Sequence, residues 1–207
     1  MIGSRLTSIS LLVVLVLIWE GWLALTDVSA LLVPPPSAVM VVLWTGLTQG
    51  FLWPHIWVTV IETLLGFALG STIGFAFGVL LSEVSFLRRI VWPYILASQV
   101  VPKLALGPIL IVWFGFGLTS IIIITALICF FPLLENTVTG VRSAPPDQRD
   151  LFRVLGATRM QTLFRLKIPA GLPLILAGVR VAVVLALVGA VVGEFISGGQ
   201  GLGASII

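Results

Sequence analysis

Asp150-Leu-Phe-Arg-Val-Leu-Gly156-Ala157, followed after a short gap by Leu166-Lys-Ile-Pro169, is a charged, glycine-punctuated stretch in a chain that otherwise reads as membrane. It lies between two long apolar runs, and residues 142–167 carry six positive and two negative charges. Pro145 and Pro146 suit a first helical turn, where a missing N–H costs no hydrogen bond. Helix then runs through Leu155, and Gly156 is placed to end it in the left-handed conformation. Thr158 and Gln161 have capping-box spacing, so a second short helix starts there and ends before Pro169. On that helix Met160, Leu163, Phe164 and Ile168 share one face. A basic loop that only obeys the charge bias of membrane proteins needs neither hinge nor caps.

Moving outward, the composition excludes a water-soluble globule: 59% of the 207 residues are hydrophobic and 9% charged, against roughly 25% charged in soluble domains. The basic balance does not point to nucleic acid, because the cations flank apolar runs instead of forming a face interleaved with aromatics. Cys129 sits in an apolar run and reads as a small buried hydrophobe; one thiol makes neither an intrachain disulfide nor a metal site. The continuous apolar runs favour helices over barrel strands. Five spans are expected, at about 8–25, 58–81, 90–113, 119–141 and 171–196. Val28-Ser29-Ala30 is a possible signal-cleavage site, but the first run is long for a signal core and holds Trp19, Glu20 and Trp22, so it reads as a retained helix. Residues 38–47 are too few to cross and suit an interfacial helix. Nine of the 11 Lys and Arg, from Arg5 through Lys167, fall in links on one side of this arrangement. The positive-inside rule makes that side, with the N-terminus, cytoplasmic. The chain reaches residue 207 on the other side as a new apolar run begins, and a sixth helix is expected beyond it.

The cytoplasmic stretch resembles the signature loop of ATP-binding-cassette (ABC) importer permeases. Asp150 stands at the family's Glu, Gly156 at its glycine, and Leu166, Ile168 and Pro169 at its end, while Leu151 and Phe152 replace two alanines. The wider context is similar to the nitrate, sulfonate and taurine group. It includes Val101-Pro-Lys-Leu-Ala-Leu-Gly-Pro108, Trp113-Phe-Gly-Phe-Gly117, Ala177-Gly-Val-Arg180, Val192-Gly-Glu194 and Gly201-Leu-Gly203. The resemblance covers about Thr59 to the end. It implies an all-α, polytopic helical bundle of the type I ABC importer permease fold, with a permease core at 58–207 and a cytoplasmic coupling loop at 142–169. Residues 1–57 form an N-terminal membrane helix with an external proline-rich and interfacial segment. It further implies a bacterial inner-membrane protein, a second permease copy, a cytoplasmic ATPase dimer that holds the ATP and Mg, and an extracytoplasmic solute-binding protein. Asp150, Leu151, Phe152, Gly156 and Ala157 would then meet the ATPase.

Within the spans, Gly66, Gly70, Gly74 and Gly78 recur every four residues and suit close helix packing. The third span is interrupted by Pro93, Pro102, Gly107 and Pro108, which hydrocarbon tolerates only beside protein or a wet cavity. Pro102, Lys103, Gly107 and Pro108 are therefore candidates for the translocation pathway. Lys103 either raises the local potential for a polar or anionic solute or snorkels and pairs structurally. Arg180 and Glu135 suit a structural ion pair. Glu62 and Glu194, near outer helix ends, either help dock the binding protein or sit in the headgroup zone. His55, between Trp53 and Trp57, reads as a bystander in an interfacial aromatic belt. The sequence has no Gly-x-x-x-x-Gly-Lys-Ser/Thr phosphate loop, so energy input is expected from another subunit and no enzyme activity, cofactor or metal site is assigned to this chain. The rival reading is an ATP-independent secondary transporter or channel subunit, which calls for carboxylates facing each other at the bilayer midplane.

Overall fold

The computed structural model describes residues 2–26, 29 and 32–206, with side chains from Thr7 onward. The possible cleavage site at 28–30 lies largely outside them. Two compact units result, Met1–Pro54 and His55–Ile207. All regular structure among the described residues is helical.

In the first unit, α1 (Ile2–Leu25) is followed by α2 (Pro36–Thr48). The apolar window of α1 buries nothing inside the chain, as suits a helix whose solvent is lipid. Glu20 ties the two helices together, since its carboxylate accepts from the Ser37 N–H at 3.1 Å and the Ser37 hydroxyl at 2.7 Å. That satisfies backbone at the start of α2, where Pro36 has no N–H to offer.

The second unit holds most of α3 (Leu52–Glu83), then α4 (Ser85–Val100), a 3₁₀ turn at Lys103–Leu106, α5 (Gly107–Phe114), α6 (Leu118–Arg142), α7 (Pro146–Val154), α8 (Arg159–Thr162) and α9 (Ile168–Ser197). The glycine ladder of α3 lies against α6. A Cβ on Gly66 would sit 2.5 Å from Thr125, one on Gly74 2.6 Å from the Phe130 carbonyl oxygen, and one on Gly78 2.6 Å from Thr137; at Gly70 it would strike the Ala126 backbone. Packing within the chain is thus what these glycines do. On the other side of α6, α9 crosses at Gly140 and Gly171, again backbone to backbone. Between these contacts sit Cys129, Ala182 and Ala186. Leu81, Ile95, Leu134 and Val138 fill one end, and Leu133, Val141, Leu163 and Ile175 the other flank.

The structure sharpens one expectation and overturns another. First, the interruption expected in the third span is an abrupt break: α4 and the Lys103–Phe114 segment meet at 84°. Val101, forced extended by the following proline, has φ −71° and ψ 123°, and Pro102 offers no N–H to carry the helix on. Four helices are long and apolar enough to cross a membrane, and a fifth crossing exists where the bent pair counts as one. Secondly, the short helix at Arg159 does not stop before Pro169. It passes through a π turn, Leu163–Lys167, straight into α9. The wider i→i+5 turn accommodates the ring and missing N–H of Pro169, which would clash with a regular preceding turn. That turn also rephases the surface: Leu163 and Leu166 go into the core, while Met160 and Phe164 stay exposed.

Candidate functional site

The loop between α6 and α9 is a rigid bracket. Helix α7 has proline in its first turn and ends at Gly156, whose φ is +70°. The Gly156 N–H donates to the Arg153 carbonyl at 3.1 Å and the Ala157 N–H to that of Phe152 at 2.9 Å. This paired 5→2 and 6→1 closure is a Schellman motif, and it satisfies carbonyls that a helix end leaves open. One residue on, the Thr158 hydroxyl accepts from the Gln161 N–H and the Gln161 side chain accepts from the Thr158 N–H, at 3.2 and 2.8 Å. Both helix ends at the corner are therefore fully capped.

The bracket is anchored at its base. Leu163 packs with Val141 and Ile175, and Lys167 makes a 2.6 Å ion pair with Glu83 at the end of α3. Its far face is free. Leu151, Val154 and Leu155 fall at i, i+3 and i+4 on α7 and are 55%, 84% and 72% exposed; Phe152 is half-buried. Among the described residues Asp150 is tied only to Arg153, at 2.9 Å on the surface. Leu151, Val154 and Leu155 leave an apolar stripe exposed on a short, charged helix. Val154 is a member of the stripe that the family resemblance does not point to; its i+3 spacing from Leu151 is the signal the sequence carries for it.

At the α4–α5 break, Lys103 faces a recess of about 480 Å³ also lined by Gln99, Phe131, Glu135, Asn136 and Val181. Its ammonium lies 4.4 Å from the centroid of the Phe131 ring. The other pathway candidates do not line this recess. Pro102 makes the break, Gly107 is buried, where a Cβ would sit 3.1 Å from the Ile196 side chain, and Pro108 sits in the first turn of α5, where it leaves no N–H unpaired. Arg180 and Glu135 are not paired. Among the described residues the ion pairs are Asp150–Arg153 and Glu83–Lys167, and Arg180 opens into a neighbouring recess beside Val181 and Leu185.

Glu62 and Glu194 are placed differently from either surface expectation. Both are buried, 2% and 0% exposed, and their carboxyls neighbour each other. The glycine-rich segment after α9 folds back over them. Gly203 N–H donates to Glu194 Oε2 at 2.7 Å, Leu202 N–H to the Thr59 hydroxyl at 2.9 Å, and Gly201 N–H to His55 Nδ1 at 3.2 Å. Side chains at 201 or 203 would collide with Glu194 and the Val191 backbone. In this conformation Glu194 is an internal fastener with Glu62 buried beside it, and His55 is part of the same clasp.

The fold is a helical membrane bundle with a glycine-packed core and a capped two-helix loop that exposes an apolar stripe. Residues 66–207 match the family described as the binding-protein-dependent transport system inner membrane component, and the chain belongs to that family: it is a multi-pass inner-membrane permease subunit of an ABC importer. It is 39% identical over 195 residues to the riboflavin transport system permease protein of Chloroflexus aurantiacus, covering 94% of this chain and 73% of that one. It is 36% identical to the formylaminopyrimidine transport permease protein of Halalkalibacterium halodurans, covering 91% and 75%. The taurine transport system permease protein of Escherichia coli is 31% identical, covering 95% and 73%. Family membership implies a solute-binding protein and an ATPase as working partners.

Proposed function

We propose that this chain forms, with a second copy of itself, the membrane path of an importer for a small polar or anionic solute of the sulfonate, taurine, nitrate or vitamin-precursor class. The extracytoplasmic binding protein delivers the solute, and ATP and Mg reside in the partner ATPase. The N-terminus and the 142–169 loop face the cytoplasm. The observation that carries this reading is the stripe of Leu151, Val154 and Leu155, presented by a capped helix that leads through Gly156 into a segment anchored on α3, α6 and α9. Closure of the ATPase on nucleotide pushes α7, and the rigid corner at Gly156 passes the displacement to α9. Coupling requires the nucleotide states to favour different permease conformations. The family match favours this reading over the ATP-independent rival, and Glu194 accepts from the Gly203 N–H under the segment that follows α9.

Gentle-detergent purification of the tagged chain should carry the ATPase along, and Leu151→Glu should release it while leaving the chain in the membrane. Retention of the ATPase by that variant overturns the assignment. The thiol of a Ser8→Cys variant should be protected from an impermeant reagent in intact cells, and single-molecule bleaching should count two permeases per complex. An N-terminus labelled from outside removes the orientation, and one permease per complex removes the homodimer.

A further inference from the structure

Resting on the permease reading above, we propose that the recess between α4, α6 and α9 is a solute site. It takes a molecule that carries an anionic or acceptor end together with a cationic or donor end, in preference to a simple anion.

The recess holds uncompensated charge. Ionisable side chains inside an apolar bundle are costly and are normally paired or turned to water. Lys103 and Glu135 line one recess of about 480 Å³, yet neither belongs to an ion pair among the described residues. Lys103 rests over the Phe131 ring, 4.4 Å from its centroid. A ring face holds a cation in place without neutralising it. Glu135 is exposed and has no cation on it among the described residues.

The rest of the lining repeats the mixed character. The Asn136 amide nitrogen donates to the Pro132 carbonyl at 2.8 Å, which leaves its oxygen available to accept. Gln99 adds an amide with both functions. A bare anion could satisfy Lys103 but would leave Glu135 unpaired and repelling it. A solute with both ends satisfies both walls at once, with Phe131 against its apolar middle.

Next along α9, Arg180 opens into a second recess of about 460 Å³ that shares Val181 and Leu185 with the first. Lys103, Glu135 and Arg180 therefore mark one continuous face of the bundle. Lipid tails are a poor cover for such a face. A water-filled path, closed by the second copy, is the environment these charges fit.

The test uses the purified permease–ATPase complex in nanodiscs. Val181→Cys places a thiol between the two recesses; native Cys129 is 0% exposed and stays silent. Its labelling by a charged methanethiosulfonate is followed with taurine, ethanesulfonate or ethylamine present, the latter two each lacking one end of taurine. The expected result is labelling that taurine slows at a concentration about tenfold or more below either fragment, the difference a charge-assisted hydrogen bond supplies. Adding Glu135→Gln should bring ethanesulfonate level with taurine, and adding Lys103→Met should do the same for ethylamine. Unprotected labelling rates report that the recess survives each change, and whichever variant retains them decides its own half of the site. Protection by ethanesulfonate equal to that by taurine, or none by taurine, overturns the two-ended site and leaves the wet path standing. Absence of labelling at position 181 places the face against lipid and removes both.

Discussion

Gly156→Val tests the central claim at the atomic level. A Cβ at this position would meet no atom within 4 Å, so the substitution adds no clash; its whole effect comes from φ at +70°. A β-branched side chain in the left-handed region costs about 1–2 kcal/mol. If the turn escapes that strain, the Gly156 and Ala157 hydrogen bonds that close α7 are lost, each worth about 1 kcal/mol. Either way, the braced corner is disfavoured by about 1–2 kcal/mol, a shift of about 5- to 30-fold between braced and loose loops. The core residues Leu163 and Leu166 are untouched, so the chain should insert and bind its partner. In reconstituted vesicles the ratio of solute imported to ATP hydrolysed should fall about fivefold or more, with hydrolysis itself retained. Gly156→Asn, which tolerates the left-handed region, should keep most of the coupling. Wild-type coupling in the valine variant would refute the lever, and equal loss in the asparagine variant would refute its conformational explanation.

Other consequences are open to measurement. Gly70→Val drives a branched side chain into the Ala126 backbone; overpacking of this kind costs about 1–3 kcal/mol, so thermal unfolding in detergent should begin several degrees lower, whereas Gly21→Ala, with open space around it, should be neutral. For Lys167 and Glu83, a double-mutant cycle with Lys167→Met and Glu83→Gln should give a favourable coupling of about 1 kcal/mol, since the pair is only part-buried; the coupling should shrink in high salt, and zero coupling at low salt would remove the anchoring role. Gly203→Ala removes the fit over Glu194 and displaces an N–H from a buried carboxylate, so protease cleavage near residue 200 should speed up about tenfold or more, reflecting a loss of about 1–3 kcal/mol; unchanged cleavage would count against the clasp.

The sequence alone settled whatever depends on local spacing. Apolar run length marked the membrane helices because hydrocarbon demands internally satisfied backbone over about 20 residues. Pro145–Pro146, Gly156 and Thr158–Gln161 marked a two-helix loop because caps are written within a few residues of the ends they close. Glycines four apart along α3 announced a close neighbour, though not that α6 would be it. What required the tertiary structure was every property that joins distant segments. The 84° break and the π turn before Pro169 arise where a proline's local demand meets packing on both sides. Glu62 and Glu194, more than a hundred residues apart, are both buried where the chain after α9 folds back over α3. Lys103 and Glu135 fail to meet as an ion pair and share a recess instead, because the distance between two side chains is set by how their helices cross, and no one-dimensional spacing records that.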